Sequence, residues 1–321
     1  MPRQFLRVFA GVLGIACLTT FSAVAAEIST ERTDSGVTVK VDGKLFTEYL
    51  TKSGAKPVLW PVIGPTGIPM TRAYPMSEDV AGEKKDHIHQ RSLWFTHGEV
   101  NGVDFWSEMP GHGSINHREF VQIAPADQSV GSLATIETMN DWVGPDGKKQ
   151  CEDVRKLVFQ AGDDWRSIDF NITFKATEGP LTFGDTKEGS MGVRVPTVMD
   201  VESMQGGQIV NSDGLKDKEA WGKPASWVDY HGPVEGEVVG IAILNHPSSF
   251  RYPTHWHVRT YGLFAANPFG LHDFTGSADV NGEHTVNAGE TLTLRYRIIF
   301  HKGNAENAKL AEAFQQYANE E

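Results

Sequence analysis

Two His-x-His pairs are the residues of this chain whose types and spacing could do chemistry. The early pair lies in Asp86-His87-Ile88-His89-Gln90-Arg91, and the late pair lies in Thr254-His255-Trp256-His257-Val258-Arg259. In an extended strand, residues i and i+2 project to the same face, so each pair can present two imidazoles to one cleft. Histidine changes charge near neutral pH, so two of them can remove a proton from one side of a substrate and return one on the other. We therefore predict acid/base chemistry, with His89, His97 and His257 as its groups.

Aromatic and planar polar side chains surround both pairs. The early pair leads into Leu93-Trp94-Phe95-Thr96-His97, and the late pair leads into a Gly- and Pro-containing stretch with Asn267. Carbohydrate sites need flat apolar rings for the C–H faces of a sugar and planar hydrogen-bonding groups for its hydroxyls. Arg91, Trp94 and Asn267 are accordingly the predicted substrate-binding residues. A core position is the equal alternative for Trp94, whereas Trp106 favours the core.

Arg194 lies in the middle of a predicted strand, where a buried cation without a partner would be costly. Its side chain should therefore face a carboxylate, water or a substrate. Asp185 and Glu188 in the preceding loop are candidates for its partner or for a general acid, although charges in such a loop are more commonly solvated. In the catalytic interpretation, Arg194 polarises a substrate oxygen.

A metal site is the competing interpretation of the histidines. His87, His89 and His257, with Asp86, could supply ligands for Zn, Cu, Fe or Ni. His-x-His is a weaker signal than a helical His-Glu-x-x-His motif or two Cys-x-x-Cys motifs. We therefore assign no metal ligand and no cofactor, and keep a divalent transition metal as the alternative.

β-Strands must position these residues. The sequence consists of short runs in which apolar and polar residues alternate, divided by the turn-forming residues Gly, Pro, Asn and Asp, and this pattern is typical of strands. Asp42-Gly43 between two alternating runs predicts a type I′ hairpin. Apolar residues at helical spacing predict one helix at Asn304–Asn319, with Leu310, Phe314 and Tyr317 on one stripe. Other predicted strands are Leu133–Val143, Cys151–Gln160, Arg166–Ala176, Gly192–Met199, Val238–Leu244 and Thr291–His301. The predicted fold class is all-β, a large antiparallel β-sandwich with one C-terminal helix, formed by residues 27–321 as a single domain.

The start of the chain has the pattern of a cleaved signal peptide over residues 1–26, with basic residues, an apolar run and a small-residue cleavage site. This predicts a secreted or periplasmic protein without a membrane span. Cys151 is then the only cysteine of the mature protein, so the fold must rest on core burial rather than on a disulfide. The formal net charge of −12 disfavours nucleic acid as a partner. Nothing in the sequence indicates an oligomeric state.

The segment from Asp86 to Trp106 resembles the Asp-His-Pro-His-His-Arg-Gly-Leu-Trp-Phe-Ala-His-Gly motif of a family of secreted bacterial proteins known as methane oxygenase PmoA-like. Asn245-His246-Pro247 and the segment from Trp256 to Gly270 are similar to the second signature of that family. Leu294 to His301 resembles its closing strand. The resemblance extends over most of the mature chain.

The chain departs from this motif at Ile88, Gln90 and Ser92, where the family usually has Pro, His and Gly, so position 90 is not predicted to be catalytic. The order of features also resembles that of galactose mutarotase sandwiches, which implies a supersandwich and a sugar ligand. We therefore predict an exported carbohydrate-active enzyme, an epimerase, mutarotase or lyase, that acts on a small-molecule or oligosaccharide substrate. A noncatalytic carbohydrate-binding module and a metal-dependent oxygenase are the alternatives.

Overall fold

The computed structural model describes residue 1, residues 26–125 and residues 129–320. The predicted signal peptide lies, apart from its first and last residues, outside the described residues. In the described part, no helix is both long and apolar enough to cross a membrane. Assignment of residues 27–321 to a single domain stays a prediction.

Strands make up most of the regular structure. In chain order they are β1 (Ile28–Arg32), β2 (Gly36–Val41), β3 (Lys44–Ser53), β4 (Lys56–Val62), β5 (Leu93–His97), β6 (Ser114–Ala124), β7 (Val130–Gly131), β8 (Ala134–Val143), β9 (Lys149–Ala161), β10 (Trp165–Lys175), β11 (Leu181–Phe183), β12 (Gly189–Arg194), β13 (Gln208–Asn211), β14 (Trp227–Val234), β15 (Glu237–Asn245), β16 (His255–Val258), β17 (Leu263–Asn267), β18 (His284–Val286) and β19 (Thr291–Lys302). The α-helices are α1 (Leu271–Thr275) and α2 (Leu310–Ala318), and short 3-10 helices lie at Thr197–Met199, Val201–Ser203 and Asp217–Ala220.

Two large antiparallel sheets contain nearly all of these strands. The nine-stranded sheet has the order β16-β17-β12-β5-β4-β3-β2-β1-β7, and the eight-stranded sheet has the order β13-β14-β15-β19-β10-β9-β8-β6. Strands β11 and β18 form a separate antiparallel pair. The predicted all-β antiparallel sandwich with one C-terminal helix is confirmed.

The core lies between the inner faces of the two sheets. Phe46 of β3 meets Phe159 of β9 and Phe300 of β19, with ring centroids 6.0 and 6.2 Å apart. On the nine-stranded sheet, Phe95 of β5 similarly packs on Phe170 of β10 at 6.2 Å. Burial of such aromatic side chains from alternate strand positions is what holds two sheets face to face.

The β2–β3 hairpin forms at the predicted turn. Asp42 and Gly43 have φ angles of 49° and 74°, and Val41 pairs with Lys44. Positive φ at both central residues is the type I′ geometry that matches the twist of the flanking strands. The hairpin prediction is confirmed.

Two predicted boundaries are wrong. The strand predicted at Gly192–Met199 ends at Arg194, because Pro196 lacks a backbone N–H and a 3-10 helix follows it. The helix predicted from Asn304 begins only at Leu310, because Lys309 has a left-handed φ of 50°.

Helix α2 covers the side of the eight-stranded sheet that faces away from the core. Its predicted stripe of Leu310, Phe314 and Tyr317 is buried. These side chains form one apolar cluster with Leu244 of β15 and Ile299 of β19. The helix therefore shields strands that would otherwise expose apolar side chains.

Replacement of Gly240 by alanine is expected to destabilise the protein by about 1–3 kcal/mol. A Cβ at this position of β15 would lie 2.2 Å from Cε1 of buried His301 and 3.0 Å from Oδ1 of Asp229. Urea unfolding measures the change. If the clash is the cause, Gly240→Ala should cost less in a His301→Ala background, and an unchanged cost would contradict this explanation.

Candidate functional site

The candidate site lies on one face of the nine-stranded sheet, which we call the outer face. Side chains of β5 and β12 alternate, so Leu93 and Val193 point into the core while Trp94 and Arg194 point to the other side. On β16, His257 also points to this outer face, because its neighbours Trp256 and Val258 lie in the core.

The early His-x-His pair is not in a strand, so the premise that extended geometry aligns its imidazoles is wrong. Residues 87–90 form a turn in which the Gln90 N–H donates to the His87 carbonyl at 2.9 Å. His87 has a left-handed φ of 44°, which is uncommon for a non-glycine residue. The turn nevertheless brings the two rings together, with centroids 5.8 Å apart.

His87 is the accessible member of the pair. Its side chain is 42% exposed, and its Nδ1 lies 3.2 Å from Oδ2 of Asp86. The ring stacks on Tyr261 with centroids 5.3 Å apart and an interplanar angle of 7°. A carboxylate at Nδ1 fixes the orientation of an imidazole and leaves Nε2 to exchange protons.

His89 is partly buried beside His87. Its ring lies 5.9 Å from that of Trp106. Burial, with smaller contributions from the charges of Lys56 and His87, lowers the pKa of His89 to about 4. The ring is therefore neutral at neutral pH and can accept a proton.

Asp86 is held by two arginines that are themselves buried. Arg72 donates to Oδ1 of Asp86 at 2.5 Å, and Arg194 donates to the same oxygen at 3.0 Å. Burial raises the pKa of Asp86, but Arg194 and Arg72 outweigh it and the net shift is downward. The carboxylate beside His87 is therefore ionised and fixed in place.

Arg194 does not pair with the acids predicted for it. Its guanidinium donates to Asp86 and to the side-chain oxygen of Gln90. Asp185 instead accepts the backbone N–H groups of His272 in α1 and of Gly282. The Glu188 carboxylate lies 3.5 Å from the Lys187 ammonium. Arg194 therefore positions Asp86.

Trp94 lies at the floor of the outer face. It is 1% exposed and packs on Trp106 with ring centroids 5.6 Å apart. A Cβ on Gly192 would lie 2.7 Å from its ring, so this glycine leaves room for the indole. Trp94 therefore supports Trp106, and the Trp106 indole contacts the His89 ring.

Arg91 belongs to a buried ion triad. Its guanidinium donates to Glu108 at 3.0 and 3.2 Å, and the Lys56 ammonium donates to the same carboxylate at 2.8 Å. Burial raises the pKa of Glu108, but the two cations outweigh it and lower the value to about 2. All polar atoms of this carboxylate thus have partners within the chain.

Glu108→Gln is expected to destabilise the protein at neutral pH by about 3–5 kcal/mol, because Lys56 and Arg91 lose their counter-charge. The pKa of Glu108 falls from 4.5 to about 2 on folding, so between these pH values the unfolded state binds more protons. Wild-type stability should therefore decline as pH falls from about 4.5 toward 2, and the variant should lack this part of the decline. Urea unfolding at pH 7 and pH 3 measures it. Exposed Glu119→Gln is the control, and an equal difference between the wild type and Glu108→Gln at both pH values would contradict the prediction.

His97 and Asn267 lie at strand ends, fully buried. His97 Nε2 is 2.8 Å from the Gly184 carbonyl, and its ring packs on Phe269. Asn267 donates to the Thr186 carbonyl and accepts from the Phe269 N–H. These contacts order the loops at this edge, so we do not include either residue in the proposed site.

The late His-x-His pair lies in β16, as predicted, but no ring contact in the described part joins it to the early pair. His257 is 2% exposed and packs on Phe274. Burial and then the charge of Arg259 lower the pKa of His257 to about 3. Among the described residues, no group of three or more His, Cys, Asp or Glu side chains is arranged to hold a metal ion. The ligand set His87, His89 and His257 is therefore not assembled.

Sequence reasoning missed the roles of Tyr261, Arg72 and Glu108. Tyr261 stacks on His87, and the guanidinium carbons of Arg194 and Arg259 lie 4.9 and 5.6 Å from its ring centroid. The available signal was the Arg-x-Tyr spacing directly after the late pair. Arg72 and Glu108 have no local signal, because their partners are distant in sequence.

Two cavities lie away from the histidine pairs. One, of about 650 Å³, lies beside α2 and is lined by residues including Trp165, Arg297 and His301. The other, of about 580 Å³, borders Glu108, His112 and His117. We assign the site to the outer face rather than to either cavity, because the oriented His87 and the neutral His89 lie there.

The chain has low similarity to solved carbohydrate-active enzymes. A β-arabinopyranosidase structure shares 11% identity over 87% of this chain and 38% of its own, with a TM-score of 0.36. A polysaccharide lyase shares 13% identity over 91% of this chain and 35% of its own, with a TM-score of 0.31. A glycoside hydrolase family 97 variant from Pseudoalteromonas sp. strain K8 shares 11% identity over 86% of this chain and 34% of its own, with a TM-score of 0.32. The chain thus spans little more than a third of these proteins.

Among curated proteins, none matches this chain. One family model does match, and it extends from β2 to α2, including both His-x-His pairs and the loop that carries Tyr261. With residues 36–315 matched, the chain belongs to the family described as "Family of unknown function (DUF6807)".

Proposed function

We propose that this protein is an exported carbohydrate-active enzyme that transfers protons with His87 and His89 on the outer face. The contact of His87 with Asp86 is the observation that carries the proposal. The carboxylate fixes the orientation of the exposed His87 ring and leaves its Nε2 free to deliver a proton, so we assign His87 the role of the acid. His89, with its pKa near 4, is neutral and can act as the base.

Neighbouring groups support this division of roles. The ring centroids of His87 and His89 are 5.8 Å apart, so a single sugar can contact both imidazoles. Tyr261 helps to orient the acid, since its ring stacks on that of His87 with centroids 5.3 Å apart. Arg72 and Arg194 act as positioning residues, since they hold Asp86.

The chemistry is the removal of a proton from one position of a sugar by His89 and the delivery of another by His87. Epimerisation, mutarotation and elimination from an oxidised sugar all have this requirement. One assay distinguishes the three. In D₂O, ¹H NMR detects epimerisation as loss of a C–H signal, mutarotation as anomer exchange, and elimination as a new olefinic signal.

A panel of neutral and acidic mono- and oligosaccharides incubated with the protein in D₂O tests the proposal. We expect at least one sugar to react, and His87→Gln protein, purified in parallel, to be slow on that sugar. Saturable binding without turnover of any sugar would reject the enzyme and favour the noncatalytic module.

The noncatalytic carbohydrate-binding module remains the second candidate function because of one observation. Neither the cavity beside α2 nor the cavity at Glu108 is lined by a His-x-His residue, and the His87 side chain is 42% exposed. Open aromatic faces suit binding modules, whereas enzymes usually enclose their substrates.

A further inference from the structure

Arg259 is a cation held by aromatic rings. Its guanidinium carbon lies 5.6 Å from the ring centroid of Tyr261 and 5.8 Å from that of Trp221. Its backbone is fixed as well, since its N–H donates to the Leu263 carbonyl at 2.7 Å. Within the described part of the chain, the Arg259 side chain makes no hydrogen bond and no ion pair. The side chain is thus preorganised, and its charge is not neutralised.

The acids around Arg259 are engaged elsewhere. Glu188 acts electrostatically on Tyr261 but lies 3.5 Å from the Lys187 ammonium. Asp273 acts on His257 but accepts the Lys187 N–H at 3.0 Å. In a chain with a net charge of −12, an arginine without a carboxylate partner at a candidate site is unexpected. The missing counter-charge can come from a ligand.

A second observation concerns the polar atoms next to Arg259. Nδ1 of His257, a residue that is 2% exposed, has no hydrogen-bond partner in the described part, and neither has Nε1 of Trp221. Buried polar groups are nearly always paired, so these two call for an explanation. Both residues adjoin Arg259, since its guanidinium lies over the Trp221 ring and its charge acts on His257.

We infer that the substrate carries a carboxylate and that Arg259 binds it, so that the site takes an acidic sugar such as a uronic acid residue. The inference rests on the proposed function, because Tyr261 contacts both His87 and Arg259, so a sugar whose carboxylate is bound at Arg259 would lie near His87. A planar guanidinium can bind a carboxylate through two parallel hydrogen bonds. A sulfate ester on a sugar also carries a negative charge that an arginine can bind. The experiment therefore compares a carboxylate-bearing sugar with a sulfated one.

The test is calorimetric binding of oligomers of galacturonate, glucuronate, mannuronate and guluronate to the full-length mature protein. Methyl esters of the same oligomers remove the charge and keep the scaffold, and galactose 6-sulfate represents the sulfate source. We expect an acidic oligomer to bind, its ester to bind at least 10-fold more weakly, and the sulfate to bind more weakly than the uronate. Arg259→Gln should weaken binding of the acid by about 10- to 100-fold and leave that of the ester unchanged.

Arg32→Gln is the control, because this arginine likewise lies over an aromatic ring, that of Phe120 at 5.2 Å, and makes no ion pair in the described part. Urea unfolding of both variants shows whether the fold is kept, and Arg259→Lys serves if Arg259→Gln unfolds. The inference would be overturned by equal binding of acid and ester, by no binding of any uronate, or by a wild-type affinity for the acid in Arg259→Gln. If the protein nevertheless turned over a neutral sugar, the proposed function would stand. Tighter binding of the sulfate would overturn the carboxylate assignment. Failure of every sugar to bind or react would reject both.

Discussion

Replacement of Asp153 by alanine is expected to lower the free energy of unfolding by about 3–5 kcal/mol. Asp153 and Arg155 form an ion pair at 2.9 Å, with 0% and 1% of their side chains exposed. The same carboxylate accepts hydrogen bonds from Asn140 and from the Trp142 indole, both at 2.7 Å. The substitution would leave a buried guanidinium without a counter-charge and two further donors without an acceptor. Each of these is costly in a core.

Urea unfolding, with the midpoint and slope determined separately, measures this effect. Glu31→Ala is the matched control, because it removes a cross-strand ion pair to Lys40 whose partners are 50% and 36% exposed, and should cost about 0–1 kcal/mol. Replacing both Asp153 and Arg155 by leucine and methionine should recover much of the loss, since no buried charge remains. If Asp153→Ala costs no more than Glu31→Ala, the buried pair is not the anchor that its contacts indicate.

Strand positions could be predicted from the sequence wherever alternation continued between strong turn signals. The Asp42-Gly43 hairpin is an example, because the turn fixes the register and the apolar pattern fixes which face is buried. The predicted boundary of a helix or strand was wrong where the backbone conformation of one residue ends the element. Lys309 carries no sequence signal for a left-handed φ, and its neighbours have good helix propensity.

The contacts of the candidate site could not be predicted in the same way. The sequence indicated the residue types of the site and the nearness of the His87 and His89 rings. It indicated a strand as the cause of that nearness, whereas the two residues lie in a turn. The partner of Arg194 is Asp86, 108 residues earlier, and not an acid of the adjacent loop. Such pairings depend on which strands are neighbours in the sheet, and here β12 lies beside β5.

His87 and His89 have different environments in the folded chain, although they belong to the same motif. By sequence, His87 and His89 are equivalent members of a motif, and only the competing metal interpretation used His87. The structure separates them by environment, because His87 is exposed against Asp86 whereas His89 is partly buried against Trp106. Burial and contact with a neighbouring charge, by which the two rings differ, are properties of the folded chain.

His87→Gln is expected to reduce turnover of the sugar identified by NMR by about 10²- to 10⁴-fold, the usual contribution of a positioned acid or base. Glutamine keeps a planar polar group beside Asp86 and Tyr261 but cannot exchange a proton. His89→Gln should cause a reduction of similar size. In the wild type, kcat/KM should fall below about pH 4, because protonation of His89 at its lowered pKa removes the base.

His255→Gln is the control for this prediction, because this histidine lies on the same outer face but stacks on Phe274 away from the early pair. Its turnover should stay within a few-fold of the wild type. Steady-state rates and binding constants are compared for all variants, since a loss confined to KM would mean that His87 binds the sugar without transferring a proton. Full turnover in His87→Gln with a loss in His255→Gln would move the reacting centre to the late pair.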